Sequence, residues 1–170
     1  MPEKKRCQWC EGDPLLERYH DQEWGIAPRS DDELFERMSL QIFQAGLNWK
    51  LILTKRNNFL ESFDRFKIAT VAKYDDQKLQ ELLNDAGILR NRRKIAAVIH
   101  NARVIQEIQA EFKTFRDYLD SLPNHLKPLQ VEFRKRFKFM GPEISRMFIF
   151  NIGKITPPHE TSCWRYQAEK

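Results

Sequence analysis

Residues 75–111, DDQKLQELLNDAGILRNRRKIAAVIHNARVIQEIQAE, decide the architecture. Asp75 to Asn84 reads as a short helix. Asn91 to Glu111 reads as a long one, with Ile95, Ile99, Ala102, Ile105 and Ile108 at helical spacing on its inward face. Ala86-Gly87-Ile88-Leu89 makes a tight connection between them, and Gly87 allows a close backbone approach. The pattern predicts a helix-hairpin-helix. The first N–H groups of its second helix lack intrahelical partners, and Arg90, Arg92, Arg93 and Lys94 crowd the same corner, so an anion such as a DNA phosphate fits there. Asn101 and Arg103 could extend that footprint. A plain helical hairpin with a solvated basic corner is the competing reading.

The rest of the chain is helical by the same criterion. Six glycines in 170 residues, few alternating stretches and many apolar positions three and four apart give an all-α chain of about eight or nine helices. Asp31 and Asp32 are candidate caps for a helix whose apolar stripe runs Leu34, Met38 and Ala45. Gln41 falls on that stripe, where an amide needs a partner. Another helix is predicted from Asn48 to about Phe63, after an exposed Ala45-Gly46-Leu47 break in which Gly46 can turn left-handed. The length suits one compact domain over 1–170 with a sizeable core. No linker, repeat or low-complexity tract divides it, and no apolar run approaches the roughly 20 residues that span a bilayer.

Cysteine and histidine collect at the two ends, as Cys7, Cys10 and His20 and then His159 and Cys163. His159 and Cys163, four positions apart, can point an imidazole nitrogen and a thiolate at one place. With Cys7 and His20 they make the two-sulfur, two-nitrogen set of tetrahedral zinc, and a closed set of four holds structure together rather than activating water. Cys10 could instead join Cys7, His159 and Cys163, leaving His20 free; the spacing leaves both sets open. Separate roles for these residues, or a disulfide, are the other readings. Three cysteines are an odd number, and the opening MPEKKRCQWCEGD has no apolar export region, so reduced thiols in a cytoplasmic protein are expected.

The formal charge of +5 permits a polyanionic partner without demanding one. Trp9, Tyr19, Trp24 and Trp49 lie in the segments that also carry the N-terminal ligands and Gln41. Such rings can sandwich a flat base while an amide reads its edge, as in enzymes that draw a nucleotide out of the duplex. Core filling is the plainer role for the same rings.

Eight short runs now line up: Arg6-Cys7-x-Trp9, Asp13-Pro14-Leu15, Tyr19-His20-Asp21-x-Glu23-Trp24-Gly25, Gln44-Ala45-Gly46-Leu47-Asn48-Trp49, Asp85-Ala86-Gly87-Ile88, Lys94-Ile95, Asn101-Ala102-Arg103 and Phe137-Lys138-Phe139-Met140-Gly141. In order and spacing they resemble the 3-methyladenine DNA glycosylase I family over nearly the whole chain, although the stretch before Arg134 is shorter than the family usually has. The resemblance implies the helix-hairpin-helix DNA glycosylase fold, with a structural zinc on Cys7, His20, His159 and Cys163 and with Cys10 outside the set. It implies a base pocket built by Trp9, Tyr19, Gln41 and Trp49, and a Leu47 wedge beside Gly46 that enters the duplex. The implied reaction, by a monomer on double-stranded DNA, is hydrolysis of the N-glycosidic bond of an alkylated purine, above all 3-methyladenine, to leave an abasic site without a lyase step. It runs without a dedicated general base: base flipping and the contacts of Gln41 and Tyr19 favour the departing base. Asp117 and Asp120 then read as surface charges or caps, and Glu23 as structural or a minor electrostatic contributor.

Two positions depart from the family pattern. Its pocket has a glutamate where this chain has Gln41 and a tyrosine where it has Leu16. A neutral amide keeps an acceptor but loses the charge, which lowers the preference for a cationic base by on the order of 1–2 kcal/mol. Three function classes therefore compete. They are an alkylpurine glycosylase, for 3-methyladenine or another lesion; a DNA-damage-binding module that has lost turnover through Gln41 and Leu16; and a zinc-stabilised helical domain that binds a protein or a small purine. Salt-sensitive duplex binding sets the third apart, and base release divides the first two.

Overall fold

The structure, a computed structural model, describes residues 3–170. In chain order its elements are α1 (Pro14–Gln22), α2 (Asp31–Gln44), α3 (Trp49–Thr54), α4 (Arg56–Ser62), a 3-10 turn (Asp64–Phe66), α5 (Ile68–Val71), α6 (Asp76–Leu83), α7 (Arg92–Phe112), α8 (Phe115–Ser121), α9 (Leu126–Arg136), α10 (Pro142–Asn151) and α11 (Trp164–Ala168). Among the described residues there is no strand, in line with the periodicity, and no helix long and apolar enough to cross a membrane. Among the described residues the helices number eleven, more than expected. Part of the excess comes from the segment predicted over Asn48 to Phe63, which bends at Lys55 (φ −89°, ψ 1°). Lys55 N–H donates to Leu51 O at 3.1 Å and Phe59 N–H to Lys55 O at 3.0 Å, so the bond pattern carries the chain through the bend from α3 into α4. The short α5 and α11 have too few turns for an apolar stripe to register.

α2 lies at the centre. Leu34, Phe35, Met38, Leu40, Ile42 and Phe43 are all buried, and so are Glu36, Ser39 and Gln41, which leaves this helix enclosed on nearly every side. α7 packs across it and also against α5, α6 and α8. Phe63 and Phe66 stack at 5.2 Å under the same core.

Capping differs from expectation in an informative way. Ser30 caps α2, its Oγ accepting from Glu33 N–H at 3.1 Å. Asp31 and Asp32 serve other helices. Asp31 accepts from Phe115 and Arg116 N–H at the start of α8 (2.8 and 3.1 Å), and Asp32 accepts from Ile68 N–H at the start of α5 (3.0 Å). Each places a carboxylate at the positive end of a neighbouring helix, so the local capping signal is used for tertiary packing.

The chain ends are brought together at Gly25. Its backbone (φ +80°) lies so near the C-terminal segment that a Cβ would stand 2.5 Å from Pro157 Cγ, and its N–H donates to Asn151 O at 2.9 Å. This close approach seats the stretch carrying His159 against the connection between α1 and α2.

Candidate functional site

The ligating atoms of Cys7, His20, His159 and Cys163 lie within 4.8 Å of one another, and all four residues are buried. Cys7 Sγ is 3.6 Å from His159 Nδ1, and Cys163 Sγ is 3.5 Å from His20 Nε2 and 3.8 Å from His159 Nδ1. A tetrahedral site with arms of about 2.0–2.3 Å has edges of roughly 3.3–3.8 Å, so the donors are spaced to accept a metal. Cys10 is outside the cluster: its thiol donates to Cys7 O at 3.1 Å, and the three cysteines form no disulfide.

Surrounding groups orient these ligands. Asp21 Oδ1 stands 2.8 Å from His20 Nδ1, which leaves Nε2 for the cluster, and Asp21 also accepts from Arg6 and from Trp164 Nε1 (3.2 Å). Arg165 donates to His20 O at 2.8 Å and pairs with Glu169, whose carboxylate is 3.6 Å from His159 Nε2. Burial, helped by Arg165, pushes His159 down to about 4, so its imidazole is neutral and can donate a lone pair. Burial pushes the Cys7 thiol up to about 11, a thiol that only a nearby cation would deprotonate at neutral pH.

Beside this cluster is an apolar cavity of about 230 Å³. Trp9, Tyr19, Gln41 and Trp49 line it together with Trp24, and α10 contributes Arg146, Met147 and Phe150, with Pro158 beyond it. The volume falls below the roughly 300–1,000 Å³ typical of drug-sized sites and suits a small flat ring. The aromatic rings meet at steep angles, Trp9 on Trp24 at 82° and Tyr19 on Trp49 at 56°, forming walls rather than a parallel stack. Two polar atoms in this lining, Gln41 Oε1 and Trp49 Nε1, are buried without a hydrogen-bond partner. Tyr19 Oη accepts from Asn151 Nδ2 at 2.6 Å, and burial pushes its phenol up, so it remains protonated with its O–H free to donate.

Leu16, expected at this pocket, is half-buried on α1 and not among the lining residues. The side chains from α10 escaped sequence reasoning because Met147 and Phe150 recur at the spacing of any core stripe. Arg146, a charge inside that apolar run, was the signal available; it pairs with Glu143 at 2.6 Å at the cavity rim. Glu23 faces a separate polar cleft, where it holds Arg56 (2.6 Å) and Arg37 (3.6 Å), a structural role. Asp117 and Asp120 are exposed on α8.

The exposed corner is formed as its sequence requires. Gly46 has φ +77° with open space where a Cβ would be, and Leu47 is 41% exposed. At the other corner Arg90, Arg92 and Arg93 are exposed, and Gly87 packs closely on Asn58 and on Asp85, which accepts its N–H at 2.8 Å. Lys94 does not join them. It is buried, with Nζ donating to Phe43 O and Ala45 O (2.9 and 2.7 Å), and so leaves the set of phosphate contacts. Asn101 and Arg103 leave it too: Asn101 clamps the backbone of Lys138 through two bonds (3.0 and 2.8 Å), and Arg103 donates to Ala72 O and Tyr74 O.

Comparison with known proteins identifies the family. The methyladenine glycosylase family model matches residues 9–136. A DNA-3-methyladenine glycosylase 1 from Escherichia coli (strain K12) is 33% identical over 186 residues, covering 98% of this chain and 99% of that protein. A DNA-3-methyladenine glycosylase from Haemophilus influenzae is 32% identical over 124 residues, 73% of this chain and 66% of that one. A crystal structure of a 3-methyladenine DNA glycosylase I has the same fold at a TM-score of 0.84 with 32% identity, covering 94% of this chain and 98% of that one. With the match extending from the aromatic residues of the cavity to the end of α9, the chain belongs to the methyladenine glycosylase family.

Proposed function

We propose that this chain is a monofunctional DNA glycosylase that hydrolyses the N-glycosidic bond of 3-methyladenine in double-stranded DNA and leaves an abasic site. The observation that carries the reading is the pair of buried, unpartnered polar atoms, Gln41 Oε1 and Trp49 Nε1, in an aromatic cavity sized for one base. An adenine-type ring offers what they lack: an amine to donate to Gln41 and ring nitrogens to accept from Trp49 or Tyr19. In the duplex, Leu47 enters the stack as the base leaves it. N3-methylation makes the attached purine cationic, so when the C1′–N9 bond breaks its electron pair neutralises the ring. Water then adds to C1′ and loses a proton to solvent. Gln41 and Tyr19 hold the departing base; neither removes a proton, since an amide is no base and the phenol stays protonated.

Cys7, His20, His159 and Cys163 would hold zinc, which would act as a structural crosslink between the chain ends. Three reduced cysteines suit a cytoplasmic setting, and a single domain over 1–170 acting as a monomer completes the reading.

DNA phosphates have two candidate seats. The hairpin over 75–111, with Arg90, Arg92 and Arg93, is one. The turn Phe137-Lys138-Phe139-Met140-Gly141 is favoured as the second by a specific contrast: Asn91 Oδ1 already caps α7 at Lys94 N–H (3.1 Å), whereas Gly141, the residue before α10, offers that helix no side-chain cap. α9 and α10 also pack together more extensively than any other helix pair among the described residues, with Arg134, Lys135 and Lys138 exposed at the turn. A lower salt slope of duplex binding for Lys138→Ala than for Arg92→Ala would select the second seat.

The test of function is release of free base from methylated duplex DNA by the unsubstituted protein and by Gln41→Glu. Release of 3-methyladenine by the former is the expected result. Duplex binding with no release by either leaves a damage-recognition module, and release by Gln41→Glu alone assigns the lost turnover to that side chain.

A further inference from the structure

We infer that Lys94 is a positioning residue for base extrusion, its buried ammonium tying the basic turn of α7 to the corner that carries Leu47. The inference rests on the glycosylase reading above. Lys94 lies in the first turn of α7 beside the exposed Arg92 and Arg93, and its N–H is capped by Asn91 Oδ1 at 3.1 Å. Its side chain points away from these arginines. Nζ donates to Phe43 O at 2.9 Å and to Ala45 O at 2.7 Å, where α2 ends. The last carbonyls of a helix have no partner within it and form the negative end of its dipole, so an ammonium there meets both requirements at once.

Beyond Ala45 the corner has little else to stiffen it. Gly46, at φ +77°, has open space on its Cβ side, and Leu47 is exposed. The hydrogen bonds that close the turn are Leu47 N–H to Gln44 O at 2.7 Å and a long one from Gln44 Nε2 to Leu47 O at 3.4 Å. A side chain that parts stacked bases transmits its load to the backbone behind it. Here that load arrives at Ala45, and Lys94 carries it into the long helix α7. The turn bearing Arg90, Arg92 and Arg93 is built on the same first residues of α7, so phosphate contact and Leu47 insertion share one joint. A misplacement of Leu47 by a fraction of an ångström then costs rate without weakening the grip on the backbone.

A helix cap with a purely structural role would leave a different kinetic trace, and a double-substitution cycle separates the two. The measurement is single-turnover release of 3-methyladenine from methylated duplex at saturating protein, for the unsubstituted chain, Lys94→Met, Leu47→Ala and the pair. Each single substitution is expected to slow release by about tenfold, the scale of one charge-assisted hydrogen bond. The pair should be within about twofold of the slower single variant, because both remove the same wedge function. The salt slope of duplex binding should be unchanged in Lys94→Met. Unchanged release by Lys94→Met, a pair slowed by about a hundredfold, or a reduced salt slope would overturn the inference while leaving the glycosylase reading in place. No release by the unsubstituted protein would overturn that reading and the inference with it. Should Lys94→Met fail to fold, Lys94→Arg, which keeps the charge but displaces the donors, takes its place in the cycle under the same criteria.

Discussion

The Cys/His cluster and the aromatic cavity are neighbours, with Trp9 5.6 Å from His20 and Trp24 4.8 Å from His159, yet they provide for their polar atoms to different degrees. In the cluster each histidine has a ring nitrogen directed at a thiol and a carboxylate near the other, and that carboxylate is itself held by Arg6 and Trp164 or by Arg165. In the cavity Gln41 Oε1 and Trp49 Nε1 face no protein partner at all. An unmade hydrogen bond in the interior is costly, so a chain that keeps two of them in one wall keeps them for something that arrives from outside. The comparison teaches where stability is made and where it is given up: the ends of the chain are joined by a cluster set in a shell of ion pairs and hydrogen bonds, in which His159 Nε2 has the Glu169 carboxylate 3.6 Å away but no hydrogen bond, and the pocket leaning on it leaves two polar atoms of one wall without even that.

The sharpest way to break this comparison is to open the cluster. Cys163→Ser, or a strong chelator, should lower stability by on the order of 4 kcal/mol, which for a domain of this size moves Tm down by about 10 °C. Base release should be lost in parallel, since Trp9 and Trp24 rest on the two imidazoles. Thermal melts with and without chelator check the first part; an unchanged Tm would mean that no metal fastens the ends.

A smaller effect, opposite in sign, is expected from the cavity. Gln41→Leu removes a buried acceptor that the folded protein leaves unpaired, so stability should hold or rise, by up to about 1 kcal/mol or 2–4 °C in Tm. Base release should drop by at least about tenfold, the value of a hydrogen bond made only to the bound base. A variant that loses stability and activity together would show that Gln41 is an ordinary core amide.

Much of both regions was legible in the chain. The bounds of α6 and α7, the four clustered ligands and four of the cavity walls all follow from residue type, spacing and the family resemblance. What stayed hidden has a common physical reason: spacing tells which face of a helix a side chain occupies but not what packs there. Lys94 reads as one of four cations after a glycine turn until α2 is laid against it. Arg103 reads as surface until the backbone of Ala72 and Tyr74 arrives. Asp31 and Asp32 read as local caps because α8 and α5 are distant in sequence. Leu16 carried a place in the pocket from the family pattern, and the turn of α1 puts it elsewhere.

The smallest expected effect lies in the shell around the cluster, and pH brings it out. Burial pushes Asp21 up, but hydrogen bonds from Arg6, His20 and Trp164 outweigh it and hold the carboxyl at about 2, below its ordinary range. A carboxyl whose folded-state pKa is depressed contributes stability above its unfolded value and loses it as pH falls through the folded one. That window runs from about pH 4 down to about pH 2. Because Asp21 is partly open to solvent, screening trims the contribution to about 1 kcal/mol. Asp21→Asn should therefore be less stable than the unsubstituted protein at neutral pH, and the gap should close by about pH 2. The same substitution loosens the orientation of His20, so metal affinity should fall by about tenfold or more. Urea denaturation at pH 7 and pH 3, with a competition assay for the metal, would read both. A gap that stays constant with pH would mean that Asp21 acts through packing, and the difference between the two regions would then rest on the four ligands alone.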